Sequence, residues 1–552
     1  MRCRILAVVA VLLAACAATP APPPSGTDAN AATVVAEIAL ERGDCRAAAE
    51  HYARAAAAPR APEATVSRAF QVAIDCQQFP VAERIAQLWR KRSPASAEAA
   101  RGAGLVALRL GRNGDAAQAL RDAIRLSGDE PGKALIELSQ AALATANDFG
   151  AYAALRAAVD IDGLDAPALV VLGSLALDSY VFRDARALAE AAIERDPESA
   201  AAQVLLSRVL AGTDDAAGAL AAANAARTLD PAGAVFAPAE TLIALDRIEE
   251  ARSELQRLLE DDDAAPEAER RLALLAFREG DVEEAAGRFS QRLRTGDGAG
   301  EALYYLGALA ERHGNDRAAL EMYQRLVQAG GGMLASRRAA EILMKQGRRE
   351  EALGLLDAQA QRDPQAAVDV LLAKSSMLIG HDAAADAVAL LDAALERYPG
   401  HPGIEYQRAL ALEGAGRVQE SIDSFEAILK RRPEDPALMN ALGYTLAEHH
   451  RSLARASGLI DEALARTPDN PAYLDSQGWV RYRRGAPAEA LAPLTRAYRL
   501  SRDTEIAAHW GEVLWSLGRE SEARTVWARA LAREPGSALL KATINRHLMP
   551  GP

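Results

Sequence analysis

The side chains whose sequence context points to covalent chemistry in this chain are its four cysteines. Cys16 closes an N-terminal segment with Arg2 and Arg4 at its head and an apolar stretch from Ile5 to Leu13. The small residues Ala14 and Ala15 stand just before the thiol. Such a segment is a secretory targeting signal, to be excluded from fold reasoning. Cys3 lies inside it, so Cys45 and Cys76 remain as an even pair, and in an oxidising compartment an even pair is a candidate disulfide. Two other residue sets carry no chemistry. The eight histidines are scattered, and His449-His450 are adjacent, so on a helix they splay about 100° apart instead of converging as metal ligands at i and i+4. Gly330-Gly331-Gly332 lacks the lysine and strand context of a phosphate cradle, and the chain holds no Gly-x-Ser-x-Gly elbow and no His-Glu-x-x-His pair. No catalytic residue, metal site, cofactor or small-molecule substrate is assigned.

The elements that must position the remaining residues announce themselves by period. Pro197 and Pro231, Pro399 and Pro433, and the Ser501/Pro535 pair each stand 34 residues apart; Pro364 to Pro399 and Pro433 to Pro468 slip by one. Ahead of each marker lie two amphipathic runs. In one unit Leu303, Leu306 and Leu309 make one stripe and Ala319, Tyr323 and Leu326 the next. Gly307 and Ala319 fall where paired helices must touch, and Gly314-Asn315-Asp316 supplies a left-handed turn and an N-cap. Proline then ends the unit, because it cannot continue a helix and biases the residue before it away from one. The same offsets recur at Leu172-Gly173, Leu442-Gly443 and Trp510-Gly511. A 34-residue helix–turn–helix period is the mark of the tetratricopeptide repeat, whose units bury their apolar faces only against neighbours. The expected fold is all-α, a right-handed superhelical solenoid of about fifteen units. The weakest units lie near Leu135–Val159 and Val235–Leu259, where Pro238 interrupts a first helix.

The domain plan is a signal over 1–15, a proline-rich tether over 16–31, the solenoid over 32–535 and a capping helix and tail over 536–552. The tether, with Pro20, Pro22, Pro23 and Pro24, would reach roughly 40 Å if extended at about 3 Å per residue. In the cap, Leu539, Leu540, Ile544 and Leu548 are expected to share one face. Half of the residues are apolar and only 5% aromatic, which suits helices packed on alanine and leucine. A net charge of −13, with no basic stripe bearing interleaved aromatics, excludes a nucleic-acid partner.

Geometry supports the Cys45–Cys76 pairing, because antiparallel stacking brings the start of the second helix and the end of the third to one edge. First helices of the units are expected to line the concave face, with the side chain after each small contact residue pointing into it. In the C-terminal third these positions hold Tyr444, Trp479, Tyr482 and Trp515, flanked by Asn440, Asp475 and Arg483. Read as exposed, they have the composition of a protein-binding hot spot; the alternative is aromatic packing between successive first helices. Trp510 and Trp527 sit on core offsets.

Two resemblances sharpen the reading. Leu13-Ala14-Ala15-Cys16 resembles the lipobox of bacterial lipoproteins, which implies diacylation of Cys16 and a membrane anchor; each buried methylene contributes about 0.8 kcal/mol. Ala17, where an aspartate would favour inner-membrane retention, implies the periplasmic face of the outer membrane. Asn440-Ala441-Leu442-Gly443-Tyr444-Thr445-Leu446, Leu474-Asp475-Ser476-Gln477-Gly478-Trp479 and Glu505 to Trp515 resemble the C-terminal repeats of large proteobacterial repeat lipoproteins. Gln477 and Trp510 depart from the methionine and leucine usual there. Some members of that family act as adaptors that present cell-wall hydrolases to a periplasmic carboxy-terminal processing protease. The resemblance implies a non-enzymatic scaffold for periplasmic proteins. Assembly of pili or polysaccharide export is the rival role in the same class, and a repeat arm on a glycan-modifying enzyme the rival in another.

Overall fold

A computed structural model describes residues 26–128, 130–144 and 148–548. The lipobox, Cys16 and the prolines of the tether lie outside them. Among the described residues thirty-one α-helices and three short 3-10 turns occur, with no strand. Thirty of the helices, from Gly26–Glu41 to Glu520–Arg533, follow one another as fifteen antiparallel pairs, and Ala538–Leu548 closes the row.

The hairpin around Gly314 shows how sequence makes the unit. Helix Ala299–Arg312 ends at His313, Gly314 takes φ +70°, and the Asn315 side chain accepts the Ala318 amide at 3.2 Å to start helix Asp316–Gln328. Small residues set the distance within pairs. A Cβ on Gly307 would lie 2.8 Å from the Tyr323 ring, on Gly173 3.2 Å from the Leu188 Cβ, and on Gly443 2.7 Å from Ile460. Tyr323 and Ala319 are fully buried there, so the apolar stripes read from the sequence are the inter-helix core.

Three local features depart from the sequence reading. The first helix begins at Gly26, inside the span assigned to the tether, because nothing after Pro24 stops an alanine-rich run from winding back. Pro238 does not break a helix; it opens one, in the first turn of Ala237–Ala244, and leaves that helix only 8 residues long. In the capping helix Leu540 is fully buried but Leu539 is 48% exposed, so the two do not share a face. Among the described residues no helix is long and apolar enough to cross a membrane.

The solenoid also touches itself at long range. Arg46 donates to the Glu396 carbonyl at 2.6 Å, and Gln78, almost wholly buried, donates to the Arg397 carbonyl at 3.0 Å. His401 hydrogen-bonds Gln77 at 3.0 Å and packs on Phe79, ring centroids 5.0 Å apart. Farther along, the Asp469 amide donates to the Tyr180 carbonyl at 3.3 Å, and Arg499 and Arg502 pair with Asp214 and Asp246. The partners are 256 to 350 residues apart, roughly seven to ten repeats at the 34-residue period. One superhelical turn therefore rests on the next along a polar seam.

Candidate functional site

The C-terminal concave groove is built by the first helices of three successive units, Pro402–Gly414, Pro436–Glu448 and Pro471–Arg483, with the start of Thr504–Ser516. Each of the middle two begins with an Asx cap and proline, Asp435-Pro436 and Asn470-Pro471, which fixes where the helix starts. The groove encloses about 460 Å³ and is lined by Tyr406, Glu413, Asn440, Tyr444, Asp475 and Glu505, among others. Its ionisable walls are acidic, and among the described residues no lysine or arginine lines it.

Asn440 and Tyr444 lie one helical turn apart, which sets both on one face. The Asn440 Oδ1 is buried without a hydrogen-bond partner among the described residues, an acceptor waiting for a donor. Glu413 is engaged on its other side, accepting from the Thr445 hydroxyl and hydrogen-bonding His449, both at 3.0 Å. Desolvation raises Glu505 above the usual carboxylate range, against the pull of the nearby His509 charge. Burial likewise raises the Tyr444 phenol.

Of the residues singled out in the sequence, Asn440, Tyr444 and Asp475 share this groove; Trp479, Tyr482, Arg483 and Trp515 do not line it. Trp479 is only 4% exposed. Its indole lies stacked on His509 of the next first helix at 4.2 Å and 22°, and its Nε1 donates to Glu448 at 2.8 Å. Tyr482 packs on it from one side, 5.3 Å between ring centroids, and Arg483 lies over it while donating to the Glu448 carbonyl. Trp515 stacks on Trp527 at 5.8 Å and meets His547 of the capping helix. The exposed-aromatic expectation is thus corrected. Both tryptophans fill spaces between successive elements: Trp479 stands one residue past Gly478 and Trp515 four past Gly511, and from either offset a side chain can lean along the array as readily as into the lumen.

Beneath the groove, His509 and Asp475 form a buried pair, 2.8 Å from Nδ1 to the carboxylate. Burial opposes charge on His509, but the hydrogen-bonded Asp475 carboxylate outweighs it and raises the imidazole. The sequence reading did not pair them, although their 34-residue offset places them at the same register of adjacent units.

At the other end, Cys45 opens helix Cys45–Ala57 and Cys76 caps helix Glu63–Asp75, at one edge of the array. They are free thiols in this structure and lie in hydrogen-bonding contact. The bond from Cys76 lowers Cys45 to about 7, burial opposing and Arg397 assisting, and the same bond raises Cys76.

Sequence comparison agrees with this architecture. The tetratricopeptide repeat profile matches residues 68–131, 170–234, 237–298, 273–333, 406–471 and 449–504. A TPR repeat-containing protein of Pseudomonas aeruginosa is 32% identical over 193 residues, which are 35% of this chain and 33% of that protein. The aligned part thus spans about a third of the relative's length. Among solved structures, yeast Tom70 is 15% identical with a TM-score of 0.37, covering 69% of this chain and 94% of its own. A thermophilic TPR protein of Thermus thermophilus is 23% identical with a TM-score of 0.31, covering 33% of this chain and 100% of its own. Fifteen helix pairs with left-handed turns and small-residue contacts, and a profile match over more than half the chain, make this protein a member of the tetratricopeptide repeat family.

Proposed function

We propose that this chain is a non-enzymatic scaffold, held by lipid on Cys16 at the periplasmic face of the outer membrane, that binds periplasmic proteins on its concave surface. In its most specific form it is an adaptor that holds a carboxy-terminal processing protease and its cell-wall hydrolase substrates together. Its contribution is effective concentration, with no bond made or broken by the adaptor itself. The observation that carries the binding role is the groove at Asn440 and Tyr444, where a buried, unpartnered acceptor faces acidic walls in a space large enough for several side chains. Those groups complement a donor-rich, basic segment of a folded or extended protein. The lipobox string supports the anchor, and the C-terminal repeat strings support the adaptor role.

The test joins fractionation to capture. Cys16→Ala should move the protein from the membrane pellet to the soluble periplasm, and continued sedimentation would reject the anchor. In vivo cross-linking of the wild type should recover a protease and a hydrolase, and Tyr444→Ala or Glu505→Gln should deplete both while leaving helicity intact. Unchanged recovery with either variant would remove the groove from the reading.

A further inference from the structure

A second pocket lies where the middle of the solenoid is roofed by its last repeat. First helices Ala265–Glu279, Ala299–Arg312 and Gly332–Lys345 supply its floor, and the end of helix Glu520–Arg533 with Glu534 to Gly536 supplies its roof. It encloses about 490 Å³. Four cations line it, Arg312, Arg338, Lys345 and Arg533, against two carboxylates, Glu311 and Glu534. In a chain of net charge −13 this excess of two positive charges runs against the average surface.

The two carboxylates are already engaged. Glu311 accepts from Arg338 at 2.6 Å and from Lys345 at 2.9 Å, and Glu534 accepts from the Thr504 hydroxyl at 3.0 Å. Arg312 donates to the Phe277 carbonyl at 2.7 Å and lies 4.2 Å above the Phe277 ring. Among the described residues neither Arg312 nor Arg533 has a carboxylate within ion-pair distance. The Arg338 Nε and Arg533 Nη1 are buried with no hydrogen-bond partner among the described residues. Desolvation weakens the hold of Arg312 on its proton, the distant charge of Glu534 opposing, as expected of a guanidinium short of compensation. Planar guanidiniums with free N–H groups match the fork of a carboxylate. Tyr304 and Tyr305, edge to face at 5.3 Å, give an apolar wall beside them.

We infer that this pocket between two superhelical turns binds a carboxylate of a partner protein, carried by an acidic side chain or a chain terminus, with Arg533 and Arg312 as its principal donors. The inference rests on the scaffold reading only for the class of ligand, and it concerns a surface opposite in charge to the Asn440–Tyr444 groove. A partner that spans both surfaces would present basic and acidic segments to matching ends of the lumen.

N-acetylated hexapeptides, titrated calorimetrically without a dye, provide the probe, with the purified full chain as receptor: Ala-Leu-Ala-Glu-Leu-Ala with a free C-terminus, its amide, the Gln-for-Glu form, and the form neutral at both places. The fully neutral peptide should bind at least tenfold more weakly than the doubly charged one, and the two single forms tell side chain from terminus. Arg533→Gln and Arg312→Gln should each lose tenfold or more, whereas Arg186→Gln, paired with Glu190 on an exposed helix face, should change nothing. Arg533→Glu should abolish binding of the charged probes, and circular dichroism melting of every variant separates loss of site from loss of fold. Equal binding of neutral and charged peptides overturns the inference, as does unchanged affinity in well-folded Arg533→Glu. In competition against the bound charged peptide, acetate should displace it at least as well as inorganic phosphate, and displacement by phosphate at a tenth of the acetate concentration needed overturns the carboxylate assignment. Tyr444→Ala should leave this affinity alone, so a failure here and a failure of the groove are read separately.

Discussion

Replacing Trp479 by alanine separates packing from recognition. The indole is almost fully buried, stacked on His509 at 4.2 Å and hydrogen-bonded to Glu448 at 2.8 Å. Truncating a buried aromatic costs about 3–5 kcal/mol, a figure that already contains the transfer and cavity terms. The offset stack accounts for about 0.5–1.5 kcal/mol beyond area. Glu448 is only partly buried, so water can replace the lost donor and the hydrogen bond adds little. A local cost of about 4 kcal/mol follows, which is roughly a thousandfold in the population of the opened state. In a repeat array this opening stays near its source. Amide exchange should therefore accelerate strongly in helices Pro471–Arg483 and Thr504–Ser516, and hardly at all in Ala166–Asp178. Partner affinity, measured on the same sample, should fall only as far as the opened fraction rises. Exchange within threefold of wild type, with a tenfold loss of partner binding, would refute the packing argument and return Trp479 to the surface.

Three further outcomes are expected. Gly478→Ala sets a Cβ 2.5 Å from the Leu494 Cγ and should cost about 1–3 kcal/mol, while Gly458→Ala meets nothing within 4 Å and should stabilise by about 0.5–1 kcal/mol; equal thermal midpoints would contradict the contact geometry. Burial, together with the charges of Arg109 and Arg432, lowers His401 from 6.5 to about 4, so the seam should keep full stability above pH 6.5 and lose up to about 3 kcal/mol as pH falls toward 4. His509 is raised, so its contribution should run the other way, present below pH 6.5 and lost as pH climbs through its folded value. Protection factors of helices Phe79–Arg92 and Thr504–Ser516 across pH 4 to 8, with the base-catalysed intrinsic exchange divided out, would show parallel trends if either sign were wrong. Finally, oxidised protein should show no free thiol at Cys45 and Cys76, and closing that loop should stabilise the first two repeats by about 3 kcal/mol. In reduced protein, alkylation should take Cys45 first with an apparent pKa near 7, and equal rates at both thiols would dispose of the hydrogen-bonded pair.

Periodicity carried the reading of the fold, because in a repeat every unit restates the same steric problem. Gly307, Gly314 and Asn315 could be assigned a contact, a turn and a cap without coordinates, and the structure gives each that duty. The candidate site was legible in part. Asn440 and Tyr444 were placed in the groove, but Trp479 and Trp515 were misplaced by one packing direction, since offset alone does not distinguish the lumen from the next helix. Glu413 and Glu505 went unnoticed because acidic residues on repeat helices are ordinary. The seam was invisible for another reason. Its contacts are single side chains such as Gln78 and His401, set at turns hundreds of residues apart, and no period links one to the other.

That seam changes how the protein must assemble and how it can bend. Hairpins that touch only their neighbours form early and anywhere along the row, since the loops they close are short. A contact between Arg46 and Glu396 demands closure of a 350-residue loop, and such closures wait until the coil around them exists. Once those contacts form, two turns that a row of hairpins would leave independent are tied together. Parting them sideways then costs the hydrogen bonds of the seam in addition to any bending of the row, so the seam stiffens the coil against a motion that nearest-neighbour packing alone would leave soft.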